Sequence, residues 1–310
     1  MPKWNKLVRG KGIGMDIKAL RYFVELVNQR SFTRASEKLF VTQPTISKMI
    51  KQLENAVGQP LLQRDGRQFT LTQAGDIVYV RAQQILENMA QLRAELADLE
   101  DLHRGQLHLG IPPMVGHLYA DLIRQFRQRY PKIELTIAEY GGRKIEQAIL
   151  SGELDVAMTM LSTNHQDLLT RLPLDHYSIH AVVPAGKGWE AYDTISWQSL
   201  INEPFYLYTE EFTLSDRIHE ACDNEGFSPQ IAARSSQWDF LVALVKSGVG
   251  VAFLPEPLCN NINDNSVIHR AISPSIDWNL GAVWHTERYV SRTAEAWIRL
   301  CIDYLERERA

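Results

Sequence analysis

Residues 31–57, SFTRASEKLFVTQPTISKMIKQLENAV, constrain the fold more than any other stretch of this chain. Ile46, Ile50, Leu53 and Val57 recur at i, i+4, i+7 and i+11, the stripe by which a helix packs on a core. Gln43, Pro44, Ser47, Lys48 and Lys51 face away from that stripe. Thr42 suits the N-cap, and Pro44 suits the first turn, where backbone N–H groups lack intrahelical acceptors. Gly58 suits the stop. A shorter helix over 32–39 precedes it, capped by Ser31 and burying Phe32, Ala35 and Leu39. The pair predicts a helix-turn-helix whose second member lies in a DNA major groove. Its candidate DNA contacts are Ser31, Thr33, Arg34, Thr42, Gln43, Pro44, Ser47, Lys48 and Lys51.

The flanking sequence extends this unit. A helix over 16–29 is expected to bury Leu20, Phe23, Val24 and Val27. In LLQRDGRQFTLT, Asp65-Gly66 sits between short β-prone arms, a strong hairpin signal. That hairpin reads as a wing, with Arg64 and Arg67 beside its tip as phosphate contacts. Charge agrees. Residues 1–75 hold 13 Lys/Arg against 5 Asp/Glu, although the whole chain is at −4. A polyanionic partner is implied for the N-terminal part alone. The first 14 residues are expected to be a disordered extension, with Met15 a second plausible start.

From residue 73 to 104 the chain reads as one long linker helix. Val78, Ala82, Ile85, Met89, Leu92, Leu96 and Leu99 step by alternating fours and threes, a heptad seam. About 30 helical residues span roughly 45 Å, too long to bury inside one small domain. The seam is therefore expected to pair with a second copy and present two helix-turn-helix units to two half-sites.

From Gly105 the texture changes. Segments QLHLGI, IELTIA, DVAMTM, SIHAVV, FYLYT, VAFLP and LGAVW read as strands, with helices over 118–130, 145–150, 214–225, 238–247 and 292–307. That alternation predicts an α/β architecture with parallel sheets. With 310 residues and 45% apolar content, two or three units are expected.

Several classes of function are disfavoured. Cys222, Cys259 and Cys301 are few, odd in number and far apart, which fits a reducing cytoplasm. There is no apolar run of membrane-spanning length and no apolar core behind the basic N-terminus, so neither a membrane partner nor a signal peptide is expected. Gly10, Gly12 and Gly14 lack the preceding strand that a dinucleotide loop requires. His176 and His180 share a predicted strand with no carboxylate or cysteine at ligand spacing, so no metal is expected there. No catalytic constellation emerges, and neither cofactor nor enzyme activity is expected.

These segments together resemble the LysR-type transcriptional regulators. The resemblance is carried by LRYFVELVNQRSFTRASEKLFVTQPTISKMIKQLE, GQPLLQRDGRQFTLTQAG, GQLHLGI, SGELDVAM and SGVGVAFLP in that order, and runs from Met15 to the C-terminus. It implies a winged helix-turn-helix over 15–72, a linker helix over 73–104, and a two-lobed α/β effector-binding domain over 105–310 like periplasmic solute-binding proteins. Lobe I would comprise 105–173 and 273–310, and lobe II 174–272. The implied partners are double-stranded promoter DNA with an inverted-repeat operator, a small-molecule effector and further copies of the chain in a dimer of dimers. RNA polymerase would join them in an activating complex.

The effector cleft would lie at the crossings between lobes, near strand C-termini. Its candidate walls are Pro113, Met114, Val115 and Gly116, then Tyr140, Thr159, Tyr208, Thr209, Ser235, Ser236 and Phe253. A helix N-terminus there suits a small organic acid. Many relatives place a hydroxyl residue at that helix start, whereas this chain has Met114 and Val115, which leaves capture to the backbone. A regulator using its C-terminal domain for assembly alone is the nearest alternative. An enzyme or transport component attached to a DNA-binding domain is the more distant one.

Overall fold

The computed structural model describes residues 16–65, 68–100, 105–161, 165 and 167–308. The chain divides after Arg93 into two compact units. The expected extension over 1–14 and the wing residue Arg67 lie outside the described residues.

The first unit contains α1 (Ile17–Gln29), α2 (Phe32–Lys38), α3 (Gln43–Val57), the hairpin β1 (Leu62–Asp65) and β2 (Gln68–Leu71), and most of α4 (Gln73–Glu100). Local chemistry sets the helix ends. The Asp16 carboxylate accepts from Lys18 N at 2.9 Å and Ser31 Oγ accepts from Arg34 N at 3.4 Å, each at an N-cap. Gly58 ends α3 at φ +77°, its N–H donating to Glu54 O at 2.8 Å, a conformation that costs glycine little. Leu20, Phe23 and Leu26 of α1 pack with Ala35, Ile46, Ile50, Leu53 and Leu61 as the core. Val24 and Val27, expected inside, are only half-buried, because α1 turns Ala19, Tyr22 and Leu26 inward instead. Glu54 Oε1 accepts from both Leu61 N (2.9 Å) and Leu62 N (3.3 Å), and Phe32 meets Phe69 edge-on at 5.6 Å. The wing is thereby tied to α2 and α3.

The second unit is built on a ten-stranded sheet. In chain order it contains β3 (Gly105–Gly110), α5 (Pro113–Gly116), α6 (Ala120–Arg129), β4 (Ile133–Ala138), α7 (Gly142–Ser151), β5 (Val156–Met160) and β6 (Leu169–Pro184). Next come β7 (Thr194–Ser196), β8 (Pro204–Tyr208), α8 (Thr213–Asn224), β9 (Gln230–Ser235), α9 (Trp238–Lys246), β10 (Val251–Pro255) and α10 (Glu256–Cys259). The chain closes with β11 (Val267–Ser273), β12 (Asp277–His285) and α11 (Arg292–Glu308).

In the first lobe β4, β3 and β5 run parallel, and β12 joins β5 antiparallel. Every residue of β5 is buried, as expected of a strand covered on both faces. In the second lobe β10, β8 and β9 run parallel. The strand β6 joins the two lobes. Its residues 169–178 pair with β12, and from Ile179 onward it pairs with β10 and β11. The expected parallel sheets are present in each lobe, and the pairing turns antiparallel at these crossings, where a strand leaving one lobe meets the strand returning to it. The sequence also concealed the length of β6: Pro173, Asp175 and His176 interrupt its apolar run, and the register shifts opposite Leu280 and Gly281. The changeover accordingly falls five residues beyond Pro173. Separate aromatic clusters hold each lobe, Trp297 on Phe126 in the first and Trp197 and Phe205 on Phe253 in the second. Among the described residues no helix is long and apolar enough to cross a membrane.

Candidate functional site

The outward face of α3 begins with Thr42, Gln43 and Pro44, all exposed, and continues through Lys48 and Lys51, also exposed, with Ser47 half-buried. Thr33 and Arg34 are exposed on α2. Gln43 Nε2 donates to Thr33 Oγ1 at 2.8 Å, which links the two helices at this surface. Thr42 occupies the N-cap position but its side chain does not cap the helix. Its hydroxyl pairs with that of Thr45 at 2.9 Å instead. Ser31 is engaged as the cap of α2. Phe40, unassigned from sequence, is 94% exposed at φ +52° in the intervening turn and adds an apolar ring beside this face. Arg64 lies on the wing strand β1.

The heptad seam divides. Val78 and Ala82 pack into the core of the first unit, where Tyr79 Oη also donates to Asn28 Oδ1 at 2.6 Å. Those two positions, expected to meet a partner, pack within the chain, where the first turns of α4 meet α1. Ile85, Leu92 and Leu96 are exposed and Met89 half-exposed. The Leu99 side chain lies outside the described residues.

The second unit holds a narrow pocket lined by Pro112, Met114, Val115, Gly142, Thr159, Met160, Phe212, Thr213, Leu214 and Trp278. The helices α7 and α8 begin at it, and neither N-terminus has a side-chain cap. Their first N–H groups therefore supply partial positive charge. Thr159 Oγ1 is buried without a hydrogen-bond partner. The Thr213 hydroxyl donates only weakly, to Met160 Sδ at 3.3 Å. Across the opening, Arg143 N donates to Glu211 O at 3.3 Å and the Arg143 guanidinium pairs with Asp216.

Three expected wall residues, Met114, Val115 and Thr159, line this pocket, and Pro113 and Gly116 flank it on α5 without lining it. Tyr140 turns elsewhere. Its hydroxyl donates to Glu153 at 3.1 Å, and Lys144 Nζ sits 3.8 Å from the ring centroid. Phe253 belongs to the aromatic core of the second lobe, stacked on Trp197 at 5.2 Å. Tyr208 is buried against Phe212 with its hydroxyl unpartnered, and burial holds that hydroxyl's pKa well above the ordinary value. Thr209 and Ser235 are joined through their backbones at 3.3 Å, Ser235 Oγ accepts from Gln237 N, and Ser236 is exposed. The sequence reading missed Gly142, Phe212 and Thr213. A threonine opening a helix directly after a strand, as in FYLYTEEFT, was the available signal for Thr213.

His176 and His180 do not converge. His176 Nδ1 lies 2.6 Å from Asn279 Oδ1, while His180 meets His269 and Cys259.

Residues 17–76 match the family described as bacterial regulatory helix-turn-helix protein, lysR family, and residues 100–306 match the LysR substrate binding domain. The HTH-type transcriptional regulator YwbI of Bacillus subtilis (strain 168) is 36% identical over 293 residues, covering 94% of this chain and 97% of that protein. A hydrogen peroxide-inducible genes activator of Pectobacterium carotovorum subsp. carotovorum is 26% identical over 242 residues, covering 78% and 80%. Among solved structures, HinK, a LysR family transcriptional regulator from Pseudomonas aeruginosa, superposes with a TM-score of 0.57 at 25% identity, covering 94% of this chain and 98% of that one.

Proposed function

This chain belongs to the LysR family of bacterial transcriptional regulators, and from that premise we propose that it reads an inverted-repeat operator as a dimer paired through α4. Two such dimers form the working assembly, in the cytoplasm. A small organic acid entering the cleft between the lobes changes the hold on promoter DNA and the contact with RNA polymerase. The protein is thus a DNA-binding regulator and not an enzyme.

The observation that carries the effector reading is Thr159 Oγ1, a buried hydroxyl without a partner in a pocket where two uncapped helices begin. A buried polar group left unsatisfied costs about 1–3 kcal/mol, which an accepting carboxylate oxygen would relieve. The helix N-termini favour negative charge at the same place. In this geometry the pocket encloses about 10 Å³, room for about one water. Ligand entry therefore requires the Arg143–Asp216 contact to open.

That small volume favours one competing reading, a regulator whose C-terminal domain serves assembly alone. Thermal shift against a panel of small carboxylates separates the two. A methyl added at Gly142 would lie 3.5 Å from Thr213 Oγ1 and 3.6 Å from Thr159 Oγ1, filling the space without a clash. A carboxylate that stabilises the parent and not Gly142→Ala supports the effector reading. No stabilisation by any member supports the assembly reading.

Peroxide sensing through a thiolate is disfavoured for this chain. Cys222, Cys259 and Cys301 are all buried, and burial pushes the Cys222 and Cys301 thiols up to about 12. Reactive cysteines have the opposite shift.

A further inference from the structure

Away from the effector pocket, the second lobe gathers three metal-ligating side chains from three elements. His180 lies on β6, His269 on the neighbouring β11, and Cys259 at the end of α10. One potential ligand atom from each lies within 4.8 Å of the other two. We propose that these residues bind one divalent transition-metal ion of borderline softness, with Zn²⁺ as the leading species.

The geometry fits such an ion. His180 Nδ1 and His269 Nδ1 are 3.2 Å apart. Two nitrogens on a tetrahedral zinc, each at about 2.0–2.1 Å, are separated by about 3.3 Å. The imidazoles are therefore already one ligand edge apart, with ring centroids 5.4 Å from each other. A thiolate and a nitrogen on the same ion would be separated by about 3.6 Å, so from a separation within 4.8 Å the sulfur closes by no more than about 1.2 Å. Its present partner is weak, a 3.7 Å contact from Cys259 Sγ to Leu254 O.

The chemistry also fits. Imidazole nitrogen with thiolate sulfur is a donor set for zinc and its neighbours rather than for calcium or magnesium. Burial lowers the proton affinity of both histidines, which leaves neutral rings with lone pairs to donate. Glu256 lies one helical turn before Cys259; burial first and then that carboxylate hold the Cys259 thiol well above its ordinary value, so its ionisation needs the charge of the ion itself. One thiolate plus that carboxylate balances a dication. On binding, the Cys259 thiol releases its proton to solvent, and each imidazole coordinates through Nδ1 as the neutral Nε2–H tautomer. The fourth position falls to water or Glu256, since both histidines are partly exposed while Cys259 is buried. The arrangement is independent of the effector pocket. An ion here would staple β11 and α10 to β6, the strand shared by both lobes.

The test uses tag-free, chelator-stripped, full-length protein titrated with Co²⁺ and then Zn²⁺. One Co²⁺ per chain is expected, with thiolate-to-cobalt charge-transfer absorption and tetrahedral visible bands that Zn²⁺ abolishes. Loss of a residue that merely orients a ligand weakens metal binding about 10–100-fold, so His269→Gln should cost at least about 100-fold. Cys259→Ala should remove the charge-transfer band. His269 is partly exposed, so its variant is expected to keep the metal-free melting temperature, and it decides the question alone if Cys259→Ala does not fold. Absence of the band in the parent at excess Co²⁺, or equal affinity in parent and His269→Gln, overturns the proposal.

Discussion

Gln43 at the head of α3 donates from Nε2 to Thr33 Oγ1 of α2 at 2.8 Å. That bond occupies one of the two amide hydrogens and leaves the other, with Oε1, to face outward. Adenine presents N7 and N6–H₂ to such a pair in the major groove. Gln43→Ala should therefore cost about 1–3 kcal/mol on the operator and little on random DNA. Thr33→Val keeps the amide but frees its orientation, and should produce a smaller loss in the same direction. Fluorescence anisotropy on both DNAs measures this; unchanged operator affinity in Gln43→Ala would remove the residue from base reading.

Leu92 and Leu96 are 47% and 55% exposed on α4. A charge placed at Leu92 meets water in the single chain and an apolar neighbour or its symmetry mate in a paired helix. Leu92→Glu should leave the fold intact and shift the assembly to smaller species with loss of cooperative operator binding. Sedimentation at micromolar concentration reports the result, and an unchanged assembly would show that these residues do not pair.

Tyr208 was expected in the effector site, yet its hydroxyl is buried without a partner outside the pocket lining. Tyr208→Phe removes an unsatisfied polar atom and should stabilise the second unit by about 1 kcal/mol. Effector response should not change. A weakened response with unchanged melting would return Tyr208 to the ligand.

His108 Nδ1 lies 3.4 Å from Asp155 Oδ2, and the hydrogen bond to Asp155 raises the histidine pKa above its usual value. The folded state thus holds this proton more tightly than the unfolded chain. The added stability is complete below the unfolded pKa of about 6.5 and fades as pH rises through the folded one. Both groups are partly exposed, so the effect stays within about 1 kcal/mol. His108→Gln should lower the melting temperature at about pH 5.5 and leave it unchanged at about pH 9. A deficit of equal size at both values would exclude the charge.

What could be read in advance was local. The caps Ser31 and Gly58, the stripe of α3 and the hairpin signal at Asp65-Gly66 act within a few residues of themselves, so their spacing declares them. The cleft is harder, since Thr159, Gly142 and Thr213 meet only after strand and helix termini converge. His180, Cys259 and His269 were invisible for the same reason, because a strand pairing and a short helix bring them together. Phe253 misled because an apolar residue near a strand end looks alike in a core and in a pocket wall.

Among the described residues the main chain crosses between the lobes along β6 and β12, which are laddered to each other from Leu169 to Ser178. A two-stranded ribbon resists stretching through its hydrogen bonds but yields readily to twist. Any change in the relative setting of the lobes is therefore expected as a twist of this ribbon. The angle reached would encode whatever occupies the cleft.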